Sequence, residues 1–205
     1  MQKIVNFLIA TAIMIPIAAW YVGSPPSVLQ LNILTACAWL VAGVIAYTFV
    51  VGQLTGNNSQ VDKLWSIMPI VYAWYMTHLG GWNDRMVLMS VLVTLWGIRL
   101  TYNFSRRGAY TWKFWEGEED YRWEVLRRKP GFRNPWSWFF FNLLFICTYQ
   151  NVLIFLFTIP VLASLSVGAN PLGIADYLLA AAFVALVVIE YIADQQQYDF
   201  QTEKH

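Results

Sequence analysis

A run of about 20 apolar residues dictates its own environment: as a helix it crosses the ~30 Å hydrocarbon core of a bilayer and satisfies its backbone polar groups internally, as lipid requires. This chain contains six such runs, Ile4 to Val22, Leu29 to Val51, Leu64 to Leu79, Met86 to Phe104, Trp136 to Leu165 and Ile174 to Ala193. Only 12% of its 205 residues are charged, about half the share in a soluble domain. The pattern predicts an all-α, polytopic transmembrane helix bundle, one domain over residues 1–205. Two runs depart from ideal length. The third, at 16 residues, reaches only ~24 Å and needs its flanks or a thinned bilayer to span. The fifth, at 30, must tilt, bend at Pro160 or begin outside the hydrocarbon. Bulky Trp20 and Tyr21 near any cleavage point favour a retained first helix over a signal peptide.

Basic residues orient the bundle. Between the fourth and fifth runs lie Arg106, Arg107, Lys113, Arg122, Arg127, Arg128, Lys129 and Arg133, which are 8 of the 13 lysines and arginines. That loop is expected in the cytoplasm, with both termini on the same side. Its acids-first, bases-last piece "EGEEDYRWEVLRRK" suits a helix macrodipole. With five tryptophans around it, residues 105–135 are expected along the membrane interface, as a solvated loop with an aromatic belt or as a lid over a ligand. A net charge of +1 excludes a phosphate-tracking surface, so no nucleic acid partner is expected. The two cysteines sit in apolar runs and the two histidines stand apart, so neither a disulfide framework nor a metal site is expected.

Polar residues inside the membrane carry the functional signal. In the fourth run, at about 100° per residue, Trp96, Arg99, Asn103, Arg106 and Arg107 share one stripe. A central arginine costs at least ~2.5 kcal/mol, so Arg99 either lines a water-filled or anion-filled cavity or pairs with a carboxylate. In the sixth run Glu190, Asp194, Gln197 and Gln201 share a face, suited to ribose hydroxyls and a nicotinamide amide, or to the arginines opposite. The "TYQN" stretch at 148–151 cannot face lipid on all sides. Asp62 is open between two roles. "SQVD" matches a capping box with Ser59 as N-cap, yet Asp62, Ser66 and Pro69 also form a face that continues inward toward a kink.

The blocks "NNSQVDKLWSIMPIVYAWY", "WGIRLTYNFSRRGAYTW", "EEDYRWEVLRR", "FNLLFICTYQNVLIF" and "EYIADQQQYDFQ" resemble the DUF1295 membrane proteins, relatives of the steroid 5α-reductases, over residues 57–205. The resemblance implies a helix bundle that binds NADPH from the cytoplasmic side and reduces an activated C=C bond of a lipid-like substrate, steroid, isoprenoid or fatty. It puts Asp62 at a catalytic glutamate position, Arg106 and Arg107 at phosphate contacts, and Glu190 with Asp194 at a cofactor-contacting pair; Arg99 and Asn103 join the expected cofactor grip. The catalytic tyrosine position falls at Trp96, whose indole donates a hydrogen bond but is no usable acid, which leaves Tyr102 or Tyr149 to supply the proton. Trp96 and Gln150 are expected to meet substrate.

The family continues past "ADQQQYDFQTEKH" into a glycine-containing loop, an arginine- and histidine-bearing motif and a last helix, so the chain is expected to be the first six helices of a larger protein, active only with that segment restored. Two alternatives stand beside the reductase: an S-adenosylmethionine-dependent membrane methyltransferase of the isoprenylcysteine type, and a non-catalytic membrane protein whose polar stripes join helices.

Overall fold

The computed structural model describes residues 23, 25–106, 108–167 and 171–204. The expected first span at residues 4–22 and Arg107 lie outside the described residues. Helix α1 (Val28–Thr55) starts at Ser27, whose hydroxyl accepts from Gln30 N at 3.2 Å while Gln30 Oε1 accepts from Ser27 N at 2.8 Å. This reciprocal pair satisfies orphan donors of the first turn. The helix stops at Gly56, whose left-handed φ of 70° is the usual terminator. Next come α2 (Gln60–Leu64), α3 (Met68–Leu79), α4 (Asp84–Ser105) and the short α5 (Tyr121–Arg127). A compound span over Pro135–Ser166 and the final α9 (Ile174–Glu203) complete the bundle. Among the described residues there is no strand.

Four helical segments are long and apolar enough to cross a membrane: α1, α4, Pro135–Ser166 and α9. The third expected run is instead broken. Its helix pauses over Trp65 to Ile67 in tight turns, with Trp65 N donating to Asp62 O at 3.4 Å and Ile67 N to Leu64 O at 3.2 Å. The cause is Pro69: it has no N–H to return to the carbonyl of Trp65, so the helix restarts with proline in its first turn. Helix α3 alone reaches only ~18 Å.

The compound span shows the same physics. It comprises α6 (Pro135–Phe141), a π-helical stretch (Asn142–Tyr149), α7 (Gln150–Leu156) and α8 (Ile159–Ala163). The break at Phe157 and Thr158 falls just ahead of Pro160. The wide π turn aligns residues five apart. Cys147 Sγ thus donates to Asn142 Oδ1 at 3.4 Å, and Asn151 Nδ2 reaches Cys147 O at 2.7 Å and Thr48 Oγ1 of α1 at 3.2 Å. Within "TYQN", therefore, Asn151 is fully buried and Tyr149 faces outward, so the polar groups divide between core and periphery.

Hydrogen-bonded rungs set the helix directions. Ser66 with Thr101 (2.6 Å), Trp74 Nε1 with Thr94 (2.9 Å) and Thr77 with Ser90 (2.8 Å) run antiparallel along α3 and α4. Gln30 Nε2 reaches Leu162 O and Ser166 Oγ at one end of α1 as Asn151 reaches Thr48 at the other. Helices α4 and α9 run parallel, because Arg85 meets Asp176 near their starts and Arg99 meets Asp194 near their ends. In a membrane, where apolar burial discriminates little between lipid and protein, such bonds at about 0.6 kcal/mol each and close backbone approach hold helices together.

Gly97 provides one such close approach. A Cβ there would lie 2.7 Å from Ser66 O and 2.7 Å from Ile70 Cδ1. Since a backbone carbonyl cannot swing aside, Gly97→Ala is expected to cost about 1–3 kcal/mol by overpacking, read as a lower midpoint in thermal unfolding of the detergent-solubilised protein.

Candidate functional site

The segment between α4 and α5 is held against the stretch before α3 by polar groups from both. Asn58 N and Nδ2 donate to Glu119 Oε1 at 2.7 and 3.0 Å, and Ser59 Oγ accepts from Asp120 N at 2.8 Å. Gln60 Nε2 donates to Trp115 O at 2.9 Å. The Lys63 ammonium, fully buried, donates to the carbonyls of Phe114 and Glu116, while Lys63 O accepts from Tyr110 at 2.7 Å. Burial lowers the Lys63 pKa from its ordinary value. Gly117 adopts φ 115°, and a Cβ there would meet Ala109 O at 2.7 Å. The loop, here the lid, is thereby fitted closely against residues 58–63.

The lid brings Asp120, Arg122 and Trp123 beside Asp62, on the wall of a cavity of about 300 Å³. Asp62, Trp65 and Ser66 line it from one side, Leu100, Asn103 and Phe104 from α4, Gln150 from α7, and Asp120 with Arg122 from the lid. Three of the residues expected at the site, Asp62, Asn103 and Gln150, thus converge from elements far apart in sequence. The expected capping box at Ser59 does not form, because the Ser59 hydroxyl is taken by Asp120 N and makes no cap bond. Asp62 faces the cavity.

Charge in the cavity is unevenly shared. Arg122 grips Asp120 through Nε to Oδ1 and Nη2 to Oδ2, both 2.8 Å, whereas its Nη2 stands 3.9 Å from Asp62 Oδ1. The hydrogen bond from Arg122 holds Asp120 below its ordinary carboxylate value. Burial instead pushes Asp62 above its own, against the Trp123 and Ser59 hydrogen bonds and the Arg122 charge. The Trp123 indole donates to Asp62 Oδ2 at 3.1 Å. One carboxylate is committed to the arginine; the other is held mainly by burial and the Trp123 indole.

The stripe of α4 divides. Arg99 Nη1 sits 2.8 Å from Asp194 Oδ2 and 3.4 Å from Glu190 Oε2. Arg106 lies between the rings of Tyr102 and Tyr198 at 4.9 and 4.3 Å, and donates to Gln195 Oε1 at 2.7 Å and Asn103 Oδ1 at 2.9 Å. Both arginines face α9, outside the walls of the polar cavity; Asn103 alone belongs to both places. Each arginine keeps a buried Nε–H without an acceptor. Tyr102 packs near Tyr191, and Tyr149 stacks on Phe145 at 5.4 Å, both about half exposed and neither lining the cavity. Trp96 lines a separate apolar cavity with Pro69. Sequence reasoning missed Trp65, Asp120, Arg122 and Trp123 as site residues; the blocks "NNSQVDKLWSIMPIVYAWY" for the first and "EEDYRWEVLRR" for the other three were the available signal.

Because folded Asp62 binds its proton more tightly than the unfolded chain, its contribution favours folding below the ordinary value of 3.8 and is lost as pH climbs through the raised one. Asp62→Asn abolishes that titration while leaving an acceptor for Trp123. Thermal unfolding from about pH 4 to about pH 8 is therefore expected to show the wild type losing stability relative to the variant as pH rises. Asp120 titrates in both proteins and cancels.

A curated relative, an uncharacterized protein of Schizosaccharomyces pombe, is 35% identical over 151 residues, covering 71% of this chain. The chain spans 42% of that relative's length. No solved structure matches. The family profile described as a protein of unknown function (DUF1295) matches residues 48–205, including every element that builds the cavity. The chain therefore belongs to the DUF1295 family.

Proposed function

We propose that this chain forms the substrate end of a membrane reductase that uses NADPH to saturate a C=C bond conjugated to a carbonyl in a lipid-like molecule. The observation that carries the reading is Asp62: mostly buried, facing a cavity, with its nearest cation already committed to Asp120. In its protonated form, which burial favours, such a carboxylic acid donates a hydrogen bond to a carbonyl oxygen and strengthens it as negative charge develops there. Asn103 and Gln150, on two further walls, offer amides that orient substrate or a carboxamide. Asp62 lends its proton to the substrate oxygen; the enol so formed takes a proton from water at its α-carbon as the oxygen returns its own to Asp62, the water entering from the basic face of the bundle, read as cytoplasmic.

The residues fit NADPH in part. The unpaired Nε–H groups of Arg99 and Arg106 want an acceptor, which a phosphate oxygen supplies, and Asn103 connects them to the cavity. A volume of about 300 Å³ takes one end of a dinucleotide, not all of it. When bound, NADPH supplies the hydride to the β-carbon.

A second reading is favoured by the 2.8 Å contact of Arg99 with Asp194: the stripe on α4 ties α9 in place. For a cofactor grip, Arg99→Met weakens NADPH affinity tenfold or more while the melting temperature holds; a lower melting temperature with unchanged nucleotide affinity assigns the arginine to helix joining. In purified protein supplied with NADPH and an α,β-unsaturated ketone, Asp62→Asn is expected to slow NADPH consumption by about 10²–10⁴-fold. Equal rates in wild type and variant overturn the assignment of the acid.

A further inference from the structure

A second cavity, of about 210 Å³, is lined by Pro69, Val93, Trp96, Phe157, Thr158 and Phe183. It uses the same walls as the polar cavity. Along α4, Trp96 lies seven residues before Asn103; along the compound span, Phe157 lies seven residues after Gln150. At 1.5 Å per residue both intervals place the second cavity about 10 Å from the first, toward the opposite face of the bundle. Its walls offer almost nothing polar. Thr158 spends its hydroxyl on Phe155 O at 2.6 Å, Pro69 has no N–H, and the Trp96 indole is the remaining polar side chain.

A ring contact links the linings of the two cavities. Trp65 lines the polar one and Phe157 the apolar one, and they touch edge to face with centroids 6.3 Å apart. Trp65 stands in the break between α2 and α3, and Phe157 in the break between α7 and α8. Both proline-induced interruptions therefore serve the same place.

We propose that the apolar cavity is the tail subsite of an amphiphile whose carbonyl head lies at Asp62, and that Trp65 and Phe157 form the constriction its hydrocarbon passes. The proposal rests on the reductase reading for the identity of the head group; the tail subsite follows from the two cavities alone. The ligand is a molecule with one oxygenated end and at least about 10 Å of hydrocarbon, without a charge at its far end, since the subsite has no ion to pair with one. Lipid is as apolar as this cavity, so selection works by shape rather than by hydrophobic gain.

The test uses two photoreactive long-chain alkyl enones in lipid nanodiscs, one with its diazirine beside the carbonyl and one with it about 10 Å along the chain. Labelled peptides are mapped by mass spectrometry, with and without excess unlabelled enone. The expected result is competed labelling near Asp62 and Trp65 by the first probe, and near Val93, Trp96, Phe157 and Phe183 by the second. Phe157→Trp, which narrows the passage, is expected to cut the second probe's competed labelling at least fivefold while head labelling persists, which also shows that the variant is folded. Competed head labelling with tail labelling that is uncompeted, or spread over the exposed Leu95 and Ile98, overturns the subsite and leaves the reductase reading standing. Competed labelling at both places without any NADPH-dependent reduction supports the subsite and counts against the reductase reading. Loss of competed labelling at both places overturns both.

Discussion

The structure of the site depends on one buried ammonium. Lys63 has no carboxylate partner; its charge is met by the carbonyls of Phe114 and Glu116 and by the face of the Phe114 ring at 5.8 Å. A charge removed from water is tolerated only where hydrogen bonds replace its hydration, so the lid must lie where those carbonyls are. This fixes residues 114–116, and bonds from Asn58 and Ser59 to Glu119 and Asp120 extend the registration to the start of α5. Trp123, 4% exposed, and the Arg122 to Asp120 pair then arrive at Asp62 as a consequence. The acid's raised affinity for its proton depends on this burial, so the chemistry of Asp62 depends on a lysine that does not line the cavity.

Arg127 reinforces the same seam from the other side. It donates to Gly56 O at 3.0 Å and Glu119 Oε1 at 2.6 Å and lies over the Trp138 ring at 4.9 Å. One guanidinium thereby joins the end of α1, the lid and the start of the compound span. Its planar fork and weak hydration make this possible where lysine's point charge would not. The dense basic residues of this region, read first as an orientation signal, thus also work as structure.

What the sequence made legible was whatever repeats along one helix. The α4 stripe and the acidic face of α9 follow from periodicity and the divided "TYQN" from the cost of polar groups in lipid, and the structure brings Arg99 to Asp194 and Asn151 to Thr48, while Arg106 meets Gln195, which lies off the expected face. Pro160 marked a real bend. Hidden was whatever depends on two elements meeting. The spacing of "SQVD" suits a capping box, but Asp120 N competes for the Ser59 hydroxyl from 61 residues away and wins. Periodicity placed Asp62, Ser66 and Pro69 on one continuous face; the break before Pro69 divides it, leaving Asp62 and Ser66 on the polar cavity and Pro69 on the apolar one. Tyr102 and Tyr149 were candidates only because the resemblance puts Trp96 at the proton donor's position, and neither lines the cavity.

Pro69 also explains why the third expected span is short. A continuous helix from Asp62 to Leu79 would carry its side chains past α4 in one unbroken row, with Gly97 pressed against it. Interrupting that helix at Trp65 to Ile67 frees Trp65 from the helical row to face Phe157, while Ser66 still reaches Thr101. Unsatisfied backbone at such a break is costly in lipid and tolerated where protein buries it or a cavity hydrates it. A polar cavity beside the break meets that condition, with Trp65 and Ser66 both on its wall. The irregularity that weakens α2 and α3 as a membrane span is therefore the same irregularity that borders the polar cavity.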